Sequence, residues 1–358
     1  MKRLVWITPL ICGLLLSGCK KNESASADDL TADLGAVTVT WDGQSVSVDN
    51  PYSSSYLVVQ TEGTKVIATI VTTAVEIPFV LSGECADGAF WLYGEKKYAL
   101  TLNNLTLNHL DGAAINIQTG KKGTITLLGV NTLIDGTSYS DTVVNEDQKG
   151  TFFSEGQLIF QGTGTLNITA HAGHGIASDD YIRINEGVIN VLGAAKDAIH
   201  GKDSVIIAGG TVNLNADGDG IDSDSRVWIT GGVLEIRLGG ADVKAVAADT
   251  LITVCGGTTT ITTTGNGAKG FKSKNDMLIS GGTISIAQSG ADYNYIDGTG
   301  TAASSRVIGI RVTNQLTMSG GNLTIANTAS NGRSIRCGTW TYSAGSYTLY
   351  PNQIKTDN

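Results

Sequence analysis

The chain has 358 residues, among them 46 glycines and 4 prolines, and its formal net charge at pH 7 is −9. Glycine, at about 13%, is nearly twice as frequent as in average proteins. This composition disfavours a helical protein, because glycine is a poor helix former. It also excludes collagen, because glycine does not recur at every third position, and a disordered chain, because 41% of the residues are hydrophobic. An all-β protein rich in turns remains.

The N-terminal 18 residues have the pattern of a secretory signal peptide. Lys2 and Arg3 precede an apolar run over residues 4–16, which is shorter than the ~20 residues of a membrane-spanning helix. The run ends in Leu-Ser-Gly-Cys, which resembles the cleavage motif of bacterial lipoproteins and implies a lipid anchor on Cys19. Residues 19–33 are small, polar and charged, so they are predicted to be a flexible tether. We therefore expect a protein of the bacterial cell envelope, attached to the outer membrane or cell surface through this lipid alone.

The charge balance of the mature chain bears on its partners. Without Lys2 and Arg3, 22 basic residues stand against 33 acidic ones, a net charge of −11. Nucleic acid is thereby an unsuitable partner, because phosphate binding needs a basic surface. The three remaining cysteines are widely spaced and odd in number, which predicts small buried side chains rather than a disulfide framework. A monomer is expected.

From about residue 96 the sequence repeats with a period near 24. Buried-type residues recur as anchors, and eleven residues after each anchor stands a glycine, the first being Gly164 and the last Gly321. The anchors are Phe153, Ile176, Ile199, Ile221, Val246, Phe271 and Ile310. Between them run three short segments per repeat in which apolar and polar residues alternate. Such a unit is one coil of a parallel β-helix, in which like residues stack in ladders.

The repeat defines the expected domain organisation. Residues 96–340 are predicted to form the parallel β-helix, and residues 34–95, which lack the period, a β-rich N-terminal cap. Residues 341–358 are predicted to be a C-terminal cap or tail. Caps are required because an open coil exposes its core and an unpaired strand edge.

Carboxylates concentrate in the turns of the middle coils. Asp217, Asp219, Asp222 and Asp224 fall within eight residues, and Asp197 lies one coil before them. Dense carboxylates repel one another unless a cation compensates, and oxygen ligands from short loops suit Ca²⁺. The five aspartates are therefore the candidate ligands of a calcium ion. The alternative is that they are ordinary turn residues, neutralised by lysines on the following coils.

Three lysines and three aromatic residues are candidate ligand contacts. Lys244, Lys269 and Lys272 occupy the ladder positions that carry aspartates in earlier coils. Tyr293 and Tyr295 lie in an insertion over residues 290–306, where a loop would leave the coil. Trp228 stands between two inward-facing residues, so it should point outward and could stack on a sugar ring or be covered by a loop. The four histidines show no paired metal-ligand spacing and are predicted to be solvated turn residues.

Two segments carry a family resemblance. Residues 79–117 and the repeat GDGIDSDSRVWITGGVLEI at 218–236 resemble the carbohydrate-binding domain of bacterial β-helix proteins that are similar in fold to pectate lyases. The resemblance implies a right-handed parallel β-helix, bound calcium and binding of plant cell-wall polysaccharide. It places calcium ligands at Asp197, Asp219, Asp222 and Asp224. Lysines in the later coils depart from the family's acidic pattern and imply fewer bound ions.

Three functions are compatible with these features. The first is calcium-dependent binding of an acidic polysaccharide by a lipid-anchored protein without catalytic activity. The second is a polysaccharide lyase acting by β-elimination, in which a lysine of the basic ladder beside Asp219 would remove a proton. The third is a structural or adhesive surface rod whose ladders only stabilise the fold.

Overall fold

Residues 34–140 and 143–357 are described by the computed structural model of the protein, and within them the chain forms 33 strands and no helix. The predicted signal peptide and tether, with Cys19, lie outside the described residues. Among the described residues there is accordingly no helix that is long and apolar enough to cross a membrane. The prediction of an all-β chain is confirmed.

Parallel pairing begins before residue 96, where the repeat becomes visible in the sequence. Strand β1 (Val37–Gly43) pairs in parallel with β5 (Ile77–Cys85), and β4 (Lys65–Ile70) pairs in parallel with β6 (Ala89–Gly94). Two antiparallel partners, β2 (Val46–Asp49) and β3 (Leu57–Glu62), lie beside β1 and β4 and interrupt the repeat spacing. Residues 34–95 thus contribute hairpins and the first parallel strands together.

Most of the middle coils contain three short strands. They are β7 (Tyr98–His109), β8 (Ile115–Gln118), β9 (Gly123–Leu128), β10 (Val130–Asp135), β11 (Gly150–Ser154), β12 (Leu158–Gln161), β13 (Thr165–Ala170), β14 (His174–Ser178), β15 (Tyr181–Ile184), β16 (Val188–Ala194), β17 (Ile199–Gly201), β18 (Ser204–Ile207), β19 (Thr211–Ala216), β20 (Ile221–Ser223), β21 (Arg226–Ile229) and β22 (Val233–Leu238). Each strand pairs in parallel with its counterpart one coil later, as β14 does with β17 and β17 with β20. This is the predicted parallel β-helix.

In the later coils the second and third strands merge into one long strand with a bulge at a Gly-Gly pair. The strands are β23 (Lys244–Ala248), β24 (Leu251–Thr263), β25 (Lys269–Ser273), β26 (Asp276–Gln288), β27 (Tyr293–Ile296), β28 (Ala302–Ser305), β29 (Ile308–Val312), β30 (Gln315–Asn327), β31 (Arg333–Cys337), β32 (Thr339–Tyr350) and β33 (Ile354–Thr356). Strands β32 and β33 still pair in parallel with β30 and β31. Coil pairing therefore continues through the predicted C-terminal cap.

The strands form two faces of the solenoid. The first strand of each coil belongs to a 13-stranded sheet, whereas the second and third strands belong to an 18-stranded sheet. Among the strands of the described residues, only β27 and β28 leave these sheets, as an antiparallel hairpin inserted between β26 and β29. The hairpin does not interrupt the coil, because β25 pairs directly with β29.

The core is a stack of aliphatic and aromatic side chains. The anchors from Ile176 to Ile310 are fully buried and lie in one ladder, but the residue that precedes Ile176 in this ladder is Phe152 rather than Phe153. Phe153 pairs instead with Ala177, so the predicted register was wrong by one residue in that coil. Phe152 and Phe153 have the same side chain, so the sequence does not show which of them belongs to the ladder. The strand pairing does show it. The glycines eleven residues after the later anchors, for example Gly232, have positive φ values that favour glycine.

Candidate functional site

Two rows of outward side chains run along the 13-stranded sheet. The first row lies one residue after the buried anchor of each coil and is called here the first ladder. It consists of Ala177, His200, Asp222, Ala247, Lys272, Arg311, Arg336 and Lys355, each paired with the next across adjacent strands. The second ladder lies two residues before the anchor and runs His174, Asp197, Asp219, Lys244, Lys269, Ile308 and Arg333. Both ladders change from imidazole and carboxylate to ammonium and guanidinium along the axis.

At the N-terminal end of the ladders, Asp197 lies between two imidazoles. Its Oδ2 is 3.3 Å from His174 Nδ1 and 4.0 Å from His200 Nδ1. The two rings stack with centroids 4.8 Å apart. Burial raises the pKa of Asp197, but the imidazoles and a hydrogen bond from the Asp219 N–H outweigh this and hold the pKa below its ordinary value.

His200 is fixed by a second carboxylate. Its Nδ1 lies 3.2 Å from Asp222 Oδ2, and this hydrogen bond raises the pKa of the imidazole against the opposing effect of burial. His200, Asp222 and Asp224 form one group of three close donors, and His174, Asp197 and His200 form another. Both histidines are therefore part of the site, contrary to the prediction that they are solvated turn residues.

Asp219 has a different environment. Its Oδ1 accepts the backbone N–H of Lys244 at 2.8 Å, and the Lys244 Nζ lies 3.9 Å from the same oxygen. Burial raises the pKa of Asp219 to about 7 despite this lysine. Asp217 is exposed in the turn and belongs to none of the groups of close donors found among the described residues.

The five predicted calcium ligands are thus not brought together as an all-oxygen site. Asp197 and Asp222 face imidazoles, Asp219 faces a lysine, and Asp217 is apart from both groups. Ca²⁺ takes six to eight oxygen ligands, whereas these groups combine nitrogen and oxygen donors. The arrangement does not fit calcium.

A polar pocket of about 260 Å³ lies in the middle of the ladders, where carboxylates give way to lysines. Its charged lining residues include Asp219, Asp222, Asp224, Lys244, Lys272 and Lys274. Two of the three predicted lysines, Lys244 and Lys272, therefore lie beside predicted carboxylates. Lys274 reaches the exposed Asp249 at 2.6 Å.

Beyond this pocket lies a larger, basic groove of about 530 Å³. It is called here the basic groove, and its lining residues are Asp242, Lys269, Lys272, Tyr295, Ser304, Ser305, Arg306, Ile308, Arg311, Arg333, Arg336 and Lys355. Seven of these side chains are cationic and one is anionic. The net charge of the whole chain is −9, so the basic groove is a positively charged region on a negatively charged protein.

Lys269 is the buried structural support of the basic groove. Its ammonium donates to Asp242 Oδ1 at 2.6 Å, to the Gly267 carbonyl at 2.5 Å and to the Ser305 hydroxyl. Burial lowers the pKa of Lys269, and Asp242 opposes this effect. Because all three hydrogens of the ammonium are used, Lys269 positions its neighbours and has no donor left for a ligand.

Lys272 is available to a ligand. Within the described chain its ammonium has no hydrogen-bond or ion-pair partner, and it lines both the polar pocket and the basic groove. Burial and the nearby Lys244 lower its pKa. Farther along, burial and the neighbouring guanidiniums of Arg306 and Arg336 lower the pKa of Arg333. The cationic groups of the basic groove are thus close enough to repel one another.

The inserted hairpin brings one predicted tyrosine to the basic groove. Tyr295 lines it, and the Tyr293 and Tyr295 rings stack at 5.6 Å. The hairpin is held at its base by Ser305, which donates to Asp242 Oδ1 at 2.6 Å. Trp228 points outward as predicted, with the Arg226 guanidinium 5.9 Å from its ring, but it belongs to the 18-stranded sheet. It is not part of the basic groove.

The sequence analysis missed the guanidiniums that dominate this site. Arg311, Arg336 and Lys355 extend the first ladder, and Arg333 extends the second. Continuing each ladder past the insertion at residues 290–306 would have found them.

Comparisons with known proteins give a family and a fold. The family described as "Carbohydrate-binding domain-containing protein" has a model that matches residues 62–332. Among solved structures, a polysaccharide lyase-like protein from C. thermocellum is similar, with 18% sequence identity and a TM-score of 0.52 over 88% of this chain and 100% of that one. No curated protein matches the sequence. The structural likeness supports the parallel β-helix.

Proposed function

Because the chain belongs to the family of carbohydrate-binding domain-containing proteins, we propose that it binds an acidic polysaccharide along the basic groove. The observation that carries the proposal is the run Lys272, Arg311, Arg336 and Lys355, in which four cationic side chains occupy one register on successive strands. Strands are ~4.8 Å apart, so the run presents a positive charge at regular steps along the solenoid axis. A polymer with repeated carboxylates matches such a row.

The chemistry of the lining supports a carboxylate ligand. Guanidinium groups bind carboxylates in bidentate geometry, and Arg306 and Arg333 add two more at the walls. The carboxylate of Asp357 pairs with two of these guanidiniums. Its Oδ2 lies 2.9 Å from Arg311 Nη1, and its Oδ1 lies 3.0 Å from Arg336 Nε. A polyanion would compete with it for the same guanidiniums. Tyr295 at the rim would supply an aromatic face for a sugar ring.

Isothermal titration with polygalacturonate and, in parallel, with a neutral cellulose oligosaccharide tests this function. We expect polygalacturonate to bind and the joint Arg311→Ala, Arg336→Ala variant to lose at least about tenfold in affinity, since charged hydrogen bonds contribute ~1.5–3 kcal/mol each. The matched control is Arg237→Ala, which removes an exposed guanidinium from the 18-stranded sheet. Equal affinity for both glycans, or equal loss in the control, would contradict the proposal. Binding of neither would favour a purely structural or adhesive rod.

A polysaccharide lyase is the second candidate, favoured by the state of Lys272. Its amine has no hydrogen-bond or ion-pair partner among the described residues, burial and Lys244 lower its pKa, and Arg311 lies beside it. In β-elimination the neutral amine would take the proton next to the uronate carboxylate. The electron pair would form the ring double bond as the bond to the leaving oxygen breaks. Unsaturated product absorbing in the ultraviolet, made by the wild type and absent with Lys272→Ala, would support catalysis.

Three further expectations stay predictions. Calcium dependence is tested by repeating the titration with Ca²⁺ and with a chelator, although the observed donor set gives it no support. Lipid attachment at Cys19 is tested by mass spectrometry of the membrane fraction, with Cys19→Ser as the control. Localisation at the cell envelope follows if that attachment is found.

A further inference from the structure

We propose that His174, Asp197 and His200 form a binding site for a transition-metal ion such as Zn²⁺, separate from the basic groove and independent of the proposed glycan binding. The three residues lie at the N-terminal end of the two ladders. None of them lines the basic groove or the polar pocket.

The spacing of the donor atoms suits one small ion. Two ligands at 2.0–2.1 Å from a tetrahedral ion are about 3.3 Å apart. His174 Nδ1 and Asp197 Oδ2 are separated by 3.3 Å, and Asp197 Oδ2 and His200 Nδ1 by 4.0 Å. One donor atom from each residue lies within 4.8 Å of the others. Small side-chain movements would therefore complete a three-ligand site, with the fourth position open to water or to Asp222.

Both His174 and Asp197 are held in place by the coil. The His174 Nδ1 accepts the Asp197 backbone N–H at 3.1 Å, which fixes the ring beside the Asp197 carboxylate, and a metal ion bound to this nitrogen would replace that hydrogen bond. Asp197 uses Oδ1 to accept the Asp219 N–H at 2.7 Å, which leaves Oδ2 for a ligand. Carboxylates that ligate metal ions are likewise held by hydrogen bonds in known sites.

The charge balance also calls for a cation. Within the described chain no lysine or arginine nitrogen lies within 4.0 Å of the carboxylates of Asp197 and Asp222, whose ion-pair partners are imidazoles. In the next coils of the second ladder, the ammonium groups of Lys244 and Lys269 supply the positive charge that compensates nearby carboxylates. A metal ion at His174, Asp197 and His200 would continue the same compensation toward the N-terminus.

The donor type selects the metal. Two imidazole nitrogens and one carboxylate oxygen suit Zn²⁺, Ni²⁺, Co²⁺ and Cu²⁺, whereas Ca²⁺ prefers oxygen alone. This distinction separates the proposal from calcium binding at the same turns.

Titration of the tag-free, chelator-treated protein with Zn²⁺, and separately with Ca²⁺, tests the site. We expect one tightly bound Zn²⁺ and an affinity at least about 100-fold lower in His174→Ala and in His200→Ala, since each removes a direct ligand. His171→Ala is the matched control, because His171 lies in the same turn but contacts Asp135 instead. Cys255→Ser controls for the exposed thiol and should bind Zn²⁺ as the wild type does. Equal Zn²⁺ affinity in His174→Ala and His171→Ala would overturn the proposal, as would Ca²⁺ binding more tightly than Zn²⁺ at this site.

A spectroscopic measurement on the wild type keeps the test valid if a variant folds poorly. With one equivalent of Cu²⁺, the electron paramagnetic resonance spectrum should show coupling to nitrogen that is absent when both histidines are replaced. A wild-type spectrum without nitrogen coupling would contradict the assignment. Circular dichroism in chelator establishes that each variant keeps its β structure. Failure of this test would leave glycan binding at the basic groove untouched, because the two sites share no residue.

Discussion

Lys272 and Arg311 occupy the same register on adjacent strands of the 13-stranded sheet, so two cationic side chains lie one strand spacing apart without an acidic residue between them. The intervening hairpin separates them by 39 residues in the sequence. Asp357 is the ion-pair partner of Arg311, whereas Lys272 has none among the described residues, so an anion lying across the two cations would be stabilised.

Arg311→Ala should weaken polygalacturonate binding and also reduce its dependence on salt. Removing one contact to a carboxylate of the polymer lowers the number of counterions released on binding. The slope of log affinity against log salt concentration should therefore become shallower. Titrations at several NaCl concentrations measure this slope. Arg237→Ala should leave both affinity and slope unchanged, and an unaltered slope in Arg311→Ala would show that this residue does not face the polymer.

Tyr295→Ala should reduce glycan affinity about three- to tenfold, whereas Trp228→Ala should have no effect. The tyrosine lines the basic groove, but the tryptophan lies on the other sheet. Loss of an aromatic stacking partner costs about 0.5–1.5 kcal/mol. Titration with the same polymer compares the two variants, and a larger loss for Trp228→Ala would move the binding face to the 18-stranded sheet.

Lys269→Met should destabilise the protein by about 2 kcal/mol, because it leaves Asp242 and Ser305 without their common partner. The figure is below that of a fully buried pair, since the Asp242 side chain is 38% exposed. Lys274→Met, which breaks the exposed bridge to Asp249, should cost less than about 0.5 kcal/mol. Chemical denaturation gives both values. Similar losses in the two variants would mean that the Lys269 contacts are not stabilising.

Asp242→Asn should destabilise the fold at neutral pH but not in acid. Burial raises the pKa of Asp242, yet Lys269, Ser305 and Lys244 outweigh burial and lower the pKa below the ordinary 3.8. A carboxyl with a lowered pKa contributes stability above its unfolded-state value and loses it as the pH falls through the folded-state value. The melting temperatures of wild type and variant should therefore differ at pH 7 and converge below about pH 3.8. A constant difference at all pH values would exclude the ionised carboxylate as its cause.

Gly232→Ala should destabilise the coil by about 3 kcal/mol. Its φ is +74°, and a Cβ there would lie 2.7 Å from backbone atoms of Gly209 and Gly210 on the previous coil. Gly239→Ala is the control, because its Cβ would meet nothing nearer than 3.7 Å. Thermal melts distinguish the two, and equal melting temperatures would show that the turn can shift to accept a side chain.

The sequence predicts the solenoid well because each coil repeats its inward residues. Ile176, Ile199 and Ile221 are recognisable at nearly equal spacing, and the structure places them in one buried ladder. The prediction was wrong at Phe153, where two neighbouring phenylalanines suit the same position. It was incomplete before residue 96, because the hairpins of β1 with β2 and β3 with β4 displace the repeat.

The candidate site was harder to predict because its residues are neighbours only through the coil. His174 and His200 are 26 residues apart, a spacing typical of no local metal motif, yet one coil of the solenoid brings their rings together. The arginines of the basic groove follow a 39-residue step that breaks the period. Two residues of the solenoid are close when they hold equivalent positions on adjacent coils. An insertion changes their spacing in the sequence, so the number of coils between them can no longer be read from that spacing.

The hairpin of β27 and β28 separates ligand preference from the strand pairing that holds the solenoid together. Because β25 pairs directly with β29, the hairpin leaves the register between these two strands uninterrupted. Ligand preference can then diverge at this loop while the coils keep their register. Related chains could carry different hairpins at the same coil junction, and so recognise different polymers with one scaffold.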